Sequence, residues 1–497
     1  MPDVSLGVFP HPHRLFPADP PVRELAVKLY EQVAGLPLIS PHGHVGAGIL
    51  AEDEPYPDPV ALLVLPDHYV LRLLHAHGVP LNELGVPYRP RHDDLGHDDL
   101  GHDDLGHDGP GAPVVAGPRD VWRRLCRHWP AFRGTVMRLW LEDELADLFG
   151  VDRPLDEATA DETYDRVAER LERPEFRPRA LYRRFGLEVL ATTDSPLDDL
   201  SAHVKLRQDP SWEGKVVPTF RPDFLIDPTR TSKWGELLDG LERISGIGTG
   251  NYHGYVRALE SRRAAFKELG ATATDHGCFS ADAVGLSDWE AARVYDRIRL
   301  GAGDGSDLGA FSAHMLMEMA RMSADDGLVM QLHPGIWRGH DSGALERFGP
   351  DLGADFPVRT GFTAALQRLL ARFGSTPTFR AVAFTVDETT FSRELAPMAS
   401  YYPGLWLGVP WWFLDAPDAM ARFWAAITES AGFGKSAGFV DDTRAYCSIP
   451  ARHRLARRAH CGFLARLVAE HRLDPDDAAE LAADFSYHLP KAAFRLG

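Results

Sequence analysis

Short apolar runs recur along the chain, and each gives way to polar, chemically capable residues. The first three occupy residues 36–40, before His42 and His44; 187–191, before Thr192, Thr193 and Asp194; and 216–220, before Arg221 and Asp223. A weaker run at 271–274 leads to Asp275 and His276, 328–332 leads to His333, and 381–386 leads to Asp387 and Glu388. The last two are 405–409, before Trp411 and Trp412, and 438–440, before Asp441, Asp442 and Arg444. Apolar runs this short, bounded by turn residues and separated mostly by amphipathic stretches, predict parallel strands buried on both faces. Eight of them joined by helices predict an α/β fold, a (β/α)8 TIM-like barrel whose reactive groups gather at the C-terminal strand ends.

The spacing of the runs is uneven. The gap between the first and second is far longer than a βα connection, and helical patterns at 120–125 and 161–173 fall inside it. We expect one barrel domain over 1–497, with a helical subdomain inserted after the first strand at 45–186. Within that insertion His-Asp-Asp-Leu-Gly repeats from His92, His97 and His102. With no apolar periodicity, the tract at 92–110 reads as a solvated, flexible loop. Two further helices are expected near 234–244 and 255–269. Leu455, Ala459, Leu464, Leu467 and Val468 have helical spacing, so the C-terminal tail should cover the outside or one end of the barrel.

Composition narrows the function. The 497 residues are 44% hydrophobic and 25% charged, as in an ordinary globular protein, with a formal net charge of −19. So acidic a chain has no footprint for phosphate backbones, which argues against nucleic acid as a partner. No apolar run is long enough to span a bilayer, and residues 1–20 carry no signal-like apolar segment, so no membrane partner is expected. Four cysteines without a CxxC pair suit a reducing cytoplasm.

His42-Gly43-His44 is the sharpest chemical motif. In extended chain, residues i and i+2 point the same way, so two imidazoles converge just beyond the first strand. Alone such a pair is common; at a barrel strand end it predicts a metal ligand pair. Asp442 ends the last strand, which lies beside the first if the barrel closes, and supplies an anionic third ligand. Two histidines and one carboxylate leave open positions, as a catalytic metal site requires. Arg444 can face a substrate carboxylate with its planar fork. A binuclear site bridged by a modified lysine would need Lys at a strand's C-terminal end. The seven lysines, Lys28, Lys205, Lys215, Lys233, Lys267, Lys435 and Lys491, do not meet that need. One divalent metal per chain, zinc first among the choices, is therefore expected.

Several further segments stand in a telling order: Asp67-His68-Tyr69, Thr192 to Asp198, Arg221-Pro222-Asp223, Asp275-His276-Gly277, Gln331-Leu332-His333, Trp411-Trp412-Phe413, Asp442-Thr443-Arg444 and Arg452-His453. Together with residues 38–44 they resemble the uronate isomerase (glucuronate isomerase) family of the amidohydrolase superfamily, across nearly the whole chain. The resemblance implies an aldose–ketose isomerase acting on hexuronates through a metal-stabilised enediolate, D-glucuronate giving D-fructuronate and D-galacturonate giving D-tagaturonate. It implies His42, His44 and Asp442 as metal ligands, and Asp442, Arg444, His68 and Tyr69 as catalytic groups. Arg221, Asp223, His333, Trp411 and Trp412 are implied around the substrate, although adjacent strand residues face opposite ways and at most one tryptophan should line the site. Two departures stand out: Gly43, where the family usually has Cys, and Leu414-Asp415, where it has Asn-Asp. The competing expectation is a metal-dependent hydrolase of the same superfamily acting on a sugar-acid amide or lactone. A homo-oligomer is left open.

Overall fold

The computed structural model describes residues 9–88 and 115–497; the repeat tract at 92–110 lies outside them. Strand β1 (Leu38–Ser40) pairs in parallel with β2 (Leu187–Ala191), and β2 with β3 (Lys215–Val217). A second parallel run takes up β4 (Ala273–His276) and β5 (Val329–Leu332), then continues through β8 (Ala381–Ala383) to β9 (Leu405–Leu407). Phe220 joins the two runs, bridging Asp194 on one side and Thr274 on the other. Between β5 and β8, β6 (Ile336–Trp337) and β7 (Phe356–Pro357) form a small antiparallel hairpin. The parallel strands follow one another in chain order, as in an α/β barrel, and β1, β5 and β8 are buried along their whole length. That two-sided burial is why their sequences run apolar without alternation.

The eighth strand is a correction to the sequence reading. Ser436 makes a single bridge to Leu407, and residues 438–440 build no ladder. Gly438 adopts φ +73, outside the extended region, and the Phe439 N–H turns away to donate to the Phe485 carbonyl at 3.0 Å. The barrel closes by other means. Ser40 Oγ donates to Asp441 Oδ2 at 2.9 Å, and the His44 N–H donates to the Thr443 carbonyl at 3.0 Å.

Helices appear where apolar spacing announced them: Pro118–Arg127, Ala160–Leu171, Trp234–Ser245 and Tyr252–Glu268. Gly48–Glu52, Pro59–Leu63, His68–Ala76, Val136–Phe149 and Pro178–Phe185 also lie between β1 and β2. Their buried side chains share a core with β1 and β2. The long helix Ser448–Ala469, followed by Pro475–Ala483 and Leu489–Phe494, starts earlier than its apolar spacing suggested and is anchored at the chain entering the first strand. Arg457 donates to the carbonyls of Ala34, Leu36 and Pro37, fixing the chain that enters β1.

The turn at Gly438 admits only glycine. An added Cβ would run into the Pro490 ring and sit 2.9 Å from the Phe485 carbonyl oxygen. Gly438→Ala should therefore lower the unfolding free energy by about 2–4 kcal/mol, from left-handed strain plus overpacking. Gly434→Ala, which would meet nothing within 4 Å, should change it by less than about 0.5 kcal/mol. Urea unfolding of the two variants makes the comparison.

Candidate metal centre and active site

His42 and His44 leave β1 on the same side, and Asp442 meets them from the far end of the chain. Asp442 Oδ1 lies 3.5 Å from His42 Nε2 and 3.3 Å from His44 Nε2. All three donor atoms fall within 4.8 Å of one another. Asp442 is held at φ +38, a left-handed conformation that swings its carboxylate toward the imidazoles. Burial pushes both histidines towards the neutral form, His44 down to about 4. Burial works against ionised Asp442, yet the surrounding imidazoles of His42, His44 and His333 win and hold it well below the usual carboxylate range. Two neutral imidazoles around an ionised carboxylate are the protonation states that ligate a divalent cation. Gly43, between them, would accept a Cβ at an ordinary 3.4 Å from the Thr443 carbonyl oxygen, so the departure from the family pattern there is sterically neutral.

A second cluster adjoins the first. His333 Nδ1 bonds Asp275 Oδ1 at 2.6 Å, and its ring stacks on His42 with centroids 4.7 Å apart. That bond fixes the tautomer: Nδ1 donates to the carboxylate, while buried Nε2 has no hydrogen-bond partner. Asp275 also faces Arg221 Nη1 at 3.5 Å. His42, Asp275 and His333 form a second set of donor atoms within 4.8 Å. In sequence Asp275 stands at the polar end of a weak run and within one of the family-like segments, but it is not among the expected site residues. Its signal was its place, one residue short of His276 at a strand end.

Arg221 and Asp223 are brought to the same strand ends. Arg221 Nε donates to Asp223 Oδ2 at 2.9 Å, Arg230 Nη1 lies 2.8 Å from that oxygen, and the Gly277 N–H donates to both Asp223 oxygens. Asp223 thus holds the Arg221 guanidinium in place. A side chain at 277 would push this arrangement aside, because a Cβ would lie 2.7 Å from Arg221 Nη2 and 2.9 Å from Asp223 Oδ2.

His68 and Tyr69 open the helix His68–Ala76, whose N-cap, Asp67, accepts the N–H groups of Tyr69 and Val70. His68 stacks on Tyr69 at 4.6 Å and meets the Trp412 ring edge-on at 5.3 Å. Burial, reinforced by the nearby guanidinium of Arg444, keeps His68 neutral, and burial pushes the Tyr69 phenol up. The two tryptophans correct the alternation argument. Trp412 sits at φ +54, so the pair turns a corner; Trp411 packs on His333 at 4.7 Å while Trp412 packs on His68. Arg444 Nη2 pairs with Asp351 Oδ1 at 3.0 Å.

An α/β barrel that brings two imidazoles from the end of its first strand against a carboxylate from its closing segment defines a protein with a donor set suited to a divalent metal. The chain belongs to the glucuronate isomerase family, whose profile it matches over residues 114–494. The uronate isomerase of Rhizorhabdus wittichii is 49% identical over 98% of both chains. That of Rhizobium meliloti is 49% identical over 98% of this chain and 99% of its own. The crystal structure of glucuronate isomerase from Caulobacter crescentus superposes with a TM-score of 0.91 at 42% identity, covering 98% of this chain and 97% of that one. Uronate isomerase from Thermotoga maritima gives 0.86 at 25% identity, covering 98% and 99%.

Beneath the site lies a buried charge cluster. Arg452 donates to Asp415 Oδ2 at 2.9 Å and to the Asp441 carbonyl at 3.2 Å, and its guanidinium lies 3.7 Å from the Trp140 ring centroid. Burial and then the nearby Asp67 raise Glu144 to about 8. An acid raised by folding binds its proton more tightly in the native state, so it costs stability as pH climbs from its unfolded value, near 4.5, to about 8. Glu144→Gln should match the parent near pH 4 and exceed it by up to a few kcal/mol at pH 8. Urea midpoints at the two pH values give the sign.

Proposed function

We propose that the chain interconverts hexuronate aldoses and ketoses, D-glucuronate with D-fructuronate and D-galacturonate with D-tagaturonate. The observation that carries this reading is 49% identity over 98% of the chain to relatives named uronate isomerase. It does not favour the hydrolase alternative. His42, His44 and Asp442 would hold one divalent ion, for which we propose zinc. Bound there, such an ion supplies Lewis acidity toward substrate oxygens.

The isomerisation moves the hydrogen of C2 to C1 and the proton of the C2 hydroxyl to the C1 oxygen. We assign the shuttling of protons to His68, Tyr69 and Asp442. Neutral His68 can take a proton, and buried Tyr69, its phenol raised, retains one to give. Arg444 stabilises negative charge developing at the reacting end. Arg221, fixed by Asp223 and Asp275, faces the substrate's carboxylate, with His333, Trp411 and Trp412 shaping the pocket. The helices of 45–186 act in this reading as an inserted subdomain that brings His68 and Tyr69 over the strand ends. Among the described residues no helix is long and apolar enough to cross a membrane, and Cys126, Cys278, Cys447 and Cys461 are unpaired. These facts support a cytoplasmic enzyme. We leave open whether it works as a homo-oligomer.

Incubation of the zinc-loaded protein with D-glucuronate or D-galacturonate should yield the 2-keto acids. Chelation should abolish turnover and added zinc restore it. Asp442→Asn should lose at least about a thousandfold in kcat together with bound metal. In D2O, deuterium at C1 of the product marks proton transfer, whereas full retention of the substrate's hydrogen would replace the shuttle with a hydride shift. Release of product from a lactone or amide panel, with both uronates untouched, would overturn the isomerase reading.

A further inference from the structure

The segment after β5 does more than connect it to the next barrel strand. From Gly335 it runs through β6, the helix Ser342–Phe348 and a turn to β7, folding back as a strap over the site. Arg338 on the strap pairs with Asp355 at 3.0 Å and lies 5.0 Å above the Trp412 ring. Gly353, at φ +86, packs so closely on the helix of His68 that a Cβ would lie 2.5 Å from Arg72 Cβ and 2.9 Å from the His68 carbonyl oxygen. One segment therefore touches the backbone of His68, the ring of Trp412 and, through Asp351, the guanidinium of Arg444.

Asp351 is the charged contact among these. Its Oδ1 lies 3.0 Å from Arg444 Nη2 and 4.0 Å from Arg338 Nη1. The residue is held at φ +64, a backbone region that aspartate enters rarely and keeps only where its surroundings hold it. Both partners are mostly shielded from solvent, with side chains 19% and 21% exposed, so the pair is screened less than a surface one. Arg444 follows Asp442 by two residues at the mobile end of a long side chain, and its charge acts on both His44 and His68. A side chain with that many rotamers needs a second anchor to present its fork in one place.

We infer that Asp351 is a positioning residue for the isomerisation: through its ion pair it holds the Arg444 guanidinium where negative charge develops. The inference rests on the isomerase reading for what Arg444 does, but the pairing itself is independent of it. An interaction made by Arg444 in the transition state predicts a particular kinetic split, loss of kcat with little change in KM.

Asp351→Asn keeps size and removes charge. With metal content and melting temperature retained, it should lower kcat about ten- to a hundredfold while KM stays within about threefold. Arg444→Lys should be costly in the parent and add little on top of Asp351→Asn, because both remove the same oriented fork. Asp355→Asn, which loosens the strap at Arg338, should act mainly on melting temperature. If Asp351→Asn does not fold, Asp351→Glu carries the same cycle, keeping the charge but displacing it by a methylene. Unchanged kcat/KM in the folded variant, or an Arg444→Lys penalty of equal factor in both backgrounds, would overturn the inference. Should the parent turn over neither uronate, the isomerase reading falls, and crystal structures decide the pairing. A displaced Arg444 in Asp351→Asn upholds it, and an Arg444 left in place refutes it.

Discussion

The seam between the first and last barrel segments is held by one buried carboxylate and by one backbone pair, the His44 N–H donating to the Thr443 carbonyl. Asp441, fully enclosed, takes the Ser40 hydroxyl at Oδ2, faces His453 Nε2 at 3.5 Å with Oδ1, and offers its carbonyl to Arg452. With no ladder along 438–440, these side-chain contacts do what backbone pairs do elsewhere around the barrel. Burying a carboxylate is costly, here the more so because Asp441 Oδ1 has no hydrogen bond beyond its 3.5 Å approach to His453. Breaking the cluster from one side would strand the remaining partners. The seam therefore specifies where residue 441 sits, and residue 442 follows. Its left-handed backbone turns its carboxylate across to His42 and His44, so barrel closure and assembly of the donor set are one event.

Three of the eight non-glycine residues at positive φ among the described residues gather around that event. Asp442, Trp412 and Asp351 are non-glycine residues at positive φ, each costing on the order of 1–3 kcal/mol, and each delivers a side chain to the same pocket. Trp412 turns so that two successive tryptophans contact two different histidines; Asp351 turns so that a loop carboxylate meets Arg444. Regular strand geometry cannot do either, because alternation sends neighbours to opposite faces. Contacts at these residues hold the conformations, among them Arg338 above the Trp412 ring and the Arg444 guanidinium on Asp351.

Much of this was legible in the sequence. A strand buried on both faces is mostly apolar, so seven of the eight runs mark real strands, and His42, His44, Arg221, Asp223 and His333 stand just past such runs. His42, His44 and Asp442 were readable because strand ends in a closed barrel are neighbours whatever their distance in sequence. The eighth run misled because Gly438 was read as part of an apolar stretch when its left-handed backbone ends the extension. Asp275 was passed over because a strand-terminal aspartate is as often a turn residue; what distinguishes it is a bond to His333, 58 residues away, which composition cannot show. Asp351 had no periodic context at all. A loop carboxylate gains meaning only when folding places a guanidinium 3.0 Å from it.

The acids beneath the pocket show how the site keeps its charge balance. Arg452 is the guanidinium at the centre of Asp67, Asp415 and Asp441, with Glu144 close by. One cation cannot neutralise them all in a dry interior, so protons do the remainder: burial raises Asp415 to about 7 and Glu144 to about 8. Arg452 meanwhile serves the seam through the Asp441 carbonyl, pairs with Asp415 Oδ2 at 2.9 Å, and rests between the rings of Tyr69 and Trp140. Proton uptake by Glu144, whose carboxyl burial lifts to about 8, relieves part of the charge that Arg452 would otherwise have to balance.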